Sequence, residues 1–229
     1  MRYFFILLLF ALFEFGLLGQ NFTDVELWSN VSVSKKVMDD VDVEFIGDWR
    51  SNNHVSSFKQ VYLAVEPTYR LNKFLKIGGQ YRYVFRAAEE TNKQRLAGFL
   101  GIKDRMKPLN FSGRLQYQYD KSNYELLEDG RHRLRIKAGI EYQRKKKHDV
   151  VPFISAELFY DFGNTNMLSR YRLQTGLAYD INKRNKVQLR YIFQQGVNSA
   201  DPLQSHIVGL SYSKELRKKK KKKKRKKEE

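Results

Sequence analysis

The sequence predicts an all-β chain: an antiparallel up-and-down transmembrane β-barrel of 10 to 12 strands, preceded by a signal peptide and followed by a disordered basic tail. Three observations predict it. Apolar and polar residues alternate through the body of the chain in runs mostly 9 to 12 residues long, close to the ~9 to 11 that a tilted strand needs to cross a bilayer and longer than the ~5 to 6 usual in soluble sheets. Connections alternate between tight basic turns (SKKVMD, RLNK, DRMK, RKKKHD, NKRN) and longer segments richer in Asn, Ser and acidic residues, as at the two ends of an outer-membrane barrel. Aromatic residues gather toward the ends of the runs on the apolar face, where amphipathic rings meet the membrane interfaces.

Residues 1–20, MRYFFILLLFALFEFGLLGQ, have the order of a secretory signal peptide: basic Arg2, an apolar run from Phe4 to Phe13, and a small residue, Gly19, beside Gln20. A retained anchor is the alternative, but Glu14 interrupts the run and about 20 apolar residues are needed to span a bilayer as a helix. With no cysteine, an oxidising compartment is tolerated but not used. Residues 21–213 form the barrel. Residues 214–229, with twelve basic and three acidic side chains, hold +9 of the chain's formal +18. Such a block cannot bury apolar surface and repels itself, so a disordered polybasic tail is expected.

Within the body, eleven runs alternate with period two. VELWSNVSV comes first, then VDVEFIGDWR, where Val41, Val43, Phe45 and Trp49 share one face and Asp42, Glu44, Asp48 and Arg50 the other. KQVYLAVEPTYR, LKIGGQYRYVF, RLAGFLGIK, LNFSGRLQYQYD, RHRLRIKAGIEY, PFISAELFYDF, YRLQTGLAYD, KVQLRYIFQ and HIVGLSY follow. A secreted soluble barrel or sandwich would share the alternation but not the run length or the asymmetric connections.

Energetic cost decides which face meets lipid. Turning Arg131, Arg133, Arg135 and Lys137 outward would set four cations against hydrocarbon, at roughly 2 to 4 kcal/mol each near the midplane. Leu134, Ile136, Ala138 and Ile140 therefore face out. The same reasoning turns Arg82, Arg95, Arg114, Arg170, Arg172 and Arg190 into the lumen, with Asp42, Glu44, Asp48, Glu66, Glu141, Glu157, Asp161 and Asp180. A polar, predominantly basic lumen is expected. Closure is required because lipid satisfies no open sheet edge. Bacterial single-chain barrels have even strand counts, so eleven runs imply either that VELWSNVSV is no ordinary wall strand or that a short strand escapes the pattern.

Trp28, GGQYRYVFR at 78–86, QRLAG at 94–98, RHRLRIKAGIEYQ at 131–143 and SRYRLQTGLAYDINKRNKVQLRYIF at 169–193 resemble an uncharacterised outer-membrane barrel family of Gram-negative bacteria, domain-of-unknown-function family 2490. The resemblance covers nearly all of the chain after the signal peptide and implies the barrel fold and a bacterial outer-membrane location. It brings no catalytic residues, and the polybasic tail departs from the pattern.

Function is then read from the lumen. An eight-stranded barrel is filled by its side chains and one of 16 to 18 strands holds an aqueous channel, so 10 to 12 strands with long Arg side chains give a structural or narrowly open barrel. The alternative is a small anion-preferring pore lined by the surplus cations. The second alternative is a lipid-modifying enzyme, which needs a nucleophile beside a base. Of the histidines, His54 and His148 fall in connections, His132 and His206 at strand ends on the lipid face, and Ser205 points away from His206. No catalytic residue, metal ligand set or cofactor is expected, although Glu89, Glu90, Glu125, Glu128 and Asp129 in the connections could collect divalent cations near lipopolysaccharide. The partners expected are outer-membrane lipids and lipopolysaccharide, the barrel-assembly machinery and, through Lys218–Lys227, anionic periplasmic polymers or headgroups; no nucleic acid is expected.

Overall fold

Alternating residues send their side chains to opposite faces, and the computed structural model shows eleven such strands closed into one barrel. It describes residues 23–86, 92–122, 130–142, 150–162, 166–199 and 202–216. The signal peptide, most of the polybasic tail, the acidic connection residues and His148 lie outside the described residues.

In chain order the strands are β1 (Thr23–Lys36), β2 (Val41–Asn52), β3 (Ser57–Arg70), β4 (Leu75–Arg86), β5 (Lys93–Met106), β6 (Leu109–Ser122), β7 (Arg131–Tyr142), β8 (Val150–Phe162), β9 (Met167–Asn182), β10 (Asn185–Gly196) and β11 (Gln204–Leu216). Each pairs antiparallel with the next, as a meander must. The ring closes differently: β1 lies parallel to β11, from Thr23 opposite Gln204 to Lys35 opposite Leu216. The strand count, left between 10 and 12 by the sequence, is eleven among the described residues. VELWSNVSV is an ordinary wall strand, and the odd number sends first and last strands the same way. A parallel ladder satisfies both edges, and closure demands nothing more.

Two boundaries also differ from the sequence reading. β11 continues to Leu216, so Lys214 and Glu215, read as the start of the tail, are still paired with Val33 and Ser34. The connection read in RSNNHVS shrinks to Asn53–Ser56, because β2 and β3 run on to meet at Asn52 and Ser57. Asn53, His54 and Val55 take φ of 53°, 55° and 68° there, a left-handed conformation that is especially uncommon for a β-branched residue such as Val55.

The outward face carries the large apolar residues. Leu63, Leu100, Leu115, Ile136, Leu158, Leu189 and Leu210 stand exposed around its middle. Aromatic residues ring both ends, with Trp49, Phe85, Tyr117 and Phe162 toward the long connections and Tyr69, Phe74, Tyr142 and Tyr179 toward the tight turns. Such a belt on a water-filled surface would be a very large exposed apolar patch. Against hydrocarbon it is the stable arrangement, and the barrel is a transmembrane one.

The inward face is not uniformly polar, and the expected polar lumen is corrected on this point. Trp28, Tyr62, Ala64, Val84, Phe99, Phe159, Ile192 and Ile207 are all buried there. Trp28, Ile192 and Ile207 form one cluster and Tyr62, Ala64 and Val84 another. Gly78 makes room for one of these rings. A Cβ at that position would stand 2.7 Å from both Phe99 Cε1 and the Pro67 carbonyl oxygen, so a bare backbone lets the ring lie on the wall.

Candidate functional site: the charged bore

Side chains that face the bore meet across it, including those on strands that are not neighbours. Arg114 on β6 reaches Glu66 on β3 through two hydrogen bonds, Nη1 to Oε1 at 3.2 Å and Nη2 to Oε2 at 2.9 Å. Two strands lie between them in the wall. Lys59 on β3 donates to Glu26 on β1 at 2.7 Å, and the Arg172 guanidinium on β9 lies 5.2 Å from the centre of the Trp28 ring on β1. Contacts of this kind exist only inside a closed wall.

Carboxylates in the bore are held by cations, one of them from the strands on both sides. Glu157 on β8 accepts from Arg135 on β7 at 2.6 and 3.0 Å and from Arg172 on β9 at 3.1 Å. Asp161, four residues further along the same face of β8, is gripped by Arg133 through two hydrogen bonds and also by Arg131. Arg95 and Asp120, directly opposite in the β5–β6 register, form a further two-point pair. Glu66 takes Gln80 Nε2 at 2.8 Å in addition to Arg114. Asp48 accepts from Arg50 at 2.6 Å. Glu26, with no exposed surface, accepts from the Trp28 indole nitrogen at 2.8 Å besides Lys59. Charges this enclosed persist only when partnered in this way.

Aromatic rings form the other half of the lining. Arg114 stacks 3.6 Å over Phe99, Arg50 lies 3.7 Å over Trp28 and Arg82 lies 3.9 Å over Tyr62. Phe159 is surrounded by Arg172, Arg135, Arg170 and Arg133, at 4.7, 5.0, 5.5 and 5.7 Å from the ring centre. The rings offer their negative faces to cations and pack the planar guanidiniums without competing for their donors.

The arginines the sequence placed in the lumen, with Glu141 and Glu157, can now be located. Arg95, Arg114, Arg133, Arg135, Glu157 and Arg172 belong to the ion-pair network. Arg170 reaches Gln194 Oε1 at 3.5 Å, Arg82 reaches Gln80 Oε1 at 3.1 Å, and Arg190 stands in the bore with its Nε buried and unpartnered. Arg82, Arg170 and Arg190 have no carboxylate within ion-pair distance among the described residues. Glu141 lies near the tight-turn mouth, away from the network, opposite Asn110 and Phe153. Toward that mouth the lining opens: Lys76, Lys103, Ser112 and Asp180 are exposed, whereas in the half nearer the long connections Trp28, Tyr62 and Phe159 are buried.

Sequence reasoning missed Glu26, Lys59, Trp28, Tyr62, Phe99 and Phe159. Only a β-bulge turns Lys59 inward: Arg50 opposes Gln60 and Ser51 opposes Phe58, leaving Lys59 as the extra residue. The histidines lie elsewhere. His132 and His206 sit on the outer face, hydrogen-bonded at 2.6 Å to Tyr117 and Tyr191, and Ser205 is buried on the opposite side of β11 from His206.

Comparison with known proteins adds the following. The family model described as "Protein of unknown function (DUF2490)" matches residues 25–204. No curated protein matches the sequence. Among solved structures, a NanC porin is similar with 15% identity and a TM-score of 0.54, over 84% of this chain and 99% of that one. OccAB4 of Acinetobacter baumannii has 10% identity and a TM-score of 0.37, over 75% of this chain and 51% of its own, a likeness too slight to bear on the fold. The NanC likeness shows a porin-like barrel fold and nothing finer.

Proposed function

The chain belongs to the DUF2490 family of proteins of unknown function, and from the lining of its bore we propose that it is an outer-membrane barrel with a narrow, anion-preferring passage. One observation carries this reading. Every buried carboxylate of the bore is already engaged, two of them by two arginines each, while Arg82, Arg170 and Arg190 have none. The buried acids are exhausted before the cations. Rings of surplus Arg or Lys favour anions in a constricted pore, and the lysines near the tight-turn mouth extend the same sign toward solution.

A second reading, a structural barrel closed by the same network, is supported by the contacts that cross the bore, Arg114 to Glu66 and Lys59 to Glu26. In either case residues 1–20 would direct export and the barrel-assembly machinery would insert the chain. The tight turns would then face the periplasm, where Lys218–Lys227 would meet anionic headgroups or polymers.

Planar-bilayer recording of the refolded barrel under a KCl gradient separates the readings. Small, steady openings with a reversal potential on the anion side are expected, and Arg82→Gln combined with Arg190→Gln should move that potential toward zero. Cation preference would contradict the anion passage, and silence would leave the closed barrel.

A further inference from the structure

Arg82 differs from the other guanidiniums of the bore in what surrounds it. Its Cζ lies 3.9 Å from the centre of the Tyr62 ring, it donates one hydrogen bond to Gln80 Oε1 at 3.1 Å, and its Nε is buried without a partner. Gln80 cannot supply charge, because it is neutral and its amide nitrogen is committed to Glu66. Arg95, Arg50 and Arg135 stand near enough to repel it, and among the described residues no carboxylate lies within ion-pair distance of it. Each of these three arginines turns its own ion pair elsewhere, to Asp120, Asp48 and Glu157 respectively. An enclosed guanidinium with no carboxylate of its own and like charges nearby is stabilised when an anion joins it.

We propose that this place is an anion seat: a small oxyanion, a carboxylate, phosphate or sulfate group, docks on Arg82 between Arg50, Arg95 and Arg135. A planar guanidinium presents donors in a fork that two oxygens of such a group match, and the contact with Tyr62 holds the guanidinium in place beforehand. The three neighbouring arginines add charge without having to leave their carboxylates. The inference rests on the bore being cationic, as proposed above, but not on its conducting, since a closed barrel with water access from the tight-turn mouth could fill the same seat.

Isothermal titration of the refolded barrel with inorganic phosphate tests it. Non-ionic detergent free of phospholipid and lipopolysaccharide, at constant ionic strength in chloride, separates a dissolved oxyanion from a lipid headgroup. Saturable binding of one phosphate per barrel is expected, accompanied by a rise in the midpoint of thermal unfolding. Arg82→Gln should abolish binding and Arg82→Lys should weaken it at least about tenfold, because the point charge remains and the fork is lost. Arg70→Gln, at the rim and paired with Asp42, should leave it unchanged. Absence of saturable binding by the unaltered barrel overturns the proposal. So does unchanged affinity in whichever Arg82 variant refolds to the heat-resistant compact form. A barrel silent in bilayers that still binds phosphate keeps the seat and removes the passage, and a conducting barrel that binds none does the reverse.

Discussion

Replacing Glu157 by alanine is expected to cost the refolded barrel about 3 to 5 kcal/mol, the penalty for leaving an enclosed charge uncompensated. Two guanidiniums lose their carboxylate at once, since Arg135 and Arg172 approach Glu157 from the strands on either side. Neither has another carboxylate within ion-pair distance among the described residues: for hydrogen bonding Arg135 keeps a 3.5 Å contact with Gln118, and Arg172 keeps the neutral oxygen of Gln194. The rim offers a control of the same chemistry in water. Arg70 and Asp42 form an ion pair with side chains 49% and 37% exposed, so Asp42→Asn should cost under about 1 kcal/mol. Urea unfolding in lipid vesicles, followed by the gel shift of the folded barrel, measures both. Equal small losses would mean that water screens the bore as fully as the rim.

Arginine in place of Ile136 should destabilise the inserted barrel by about 2 to 4 kcal/mol, because its side chain would enter hydrocarbon near the midplane. Ile136 stands midway along β7 on the outer face, between Leu115 and Leu158 on the flanking strands, and all three are exposed. The same change at Val150, the first residue of β8 and equally outward, should cost only about 0 to 1 kcal/mol, since the side chain can reach the interface. The depth dependence is the informative part. A soluble barrel with a wetted exterior would tolerate both substitutions alike.

How much of this was legible in the sequence depends on what each residue needed. Leu134 and Ile136 outward and Arg133 and Arg135 inward follow from alternation and the cost of charge in lipid, both local properties of RHRLRIKAGIEY. Phe99 and Phe159 were not legible, because a ring on the polar parity reads as an interruption of the pattern. Its reason, a facing for guanidiniums contributed by other strands, exists only after closure. The Arg114–Glu66 pair joins residues 48 apart in sequence with two strands between them, and no spacing rule anticipates it. Lys59 depends on a bulge, which shifts parity by one and defeats a period-two reading from that point. Strand parity stayed open in the sequence for a different reason. Counting runs gave eleven, but the even-number rule spoke against it, and only the parallel pairing of β1 with β11 shows how an odd ring closes.

The two faces of the wall can be told apart by the chain's two tryptophans. Trp49 is 38% exposed on the outer face beside Phe58, and Trp28 is 4% exposed inside the bore beneath Arg50. Fluorescence quenching by lipids brominated at shallow acyl positions, measured on Trp28→Phe and Trp49→Phe barrels in vesicles, reads each separately. Strong quenching when only Trp49 remains, and little when only Trp28 remains, is the expected result. Quenching of Trp28 by lipid, or of neither residue in barrels that fold, would contradict a wall that gives its apolar side to the membrane and its charged side to an enclosed bore.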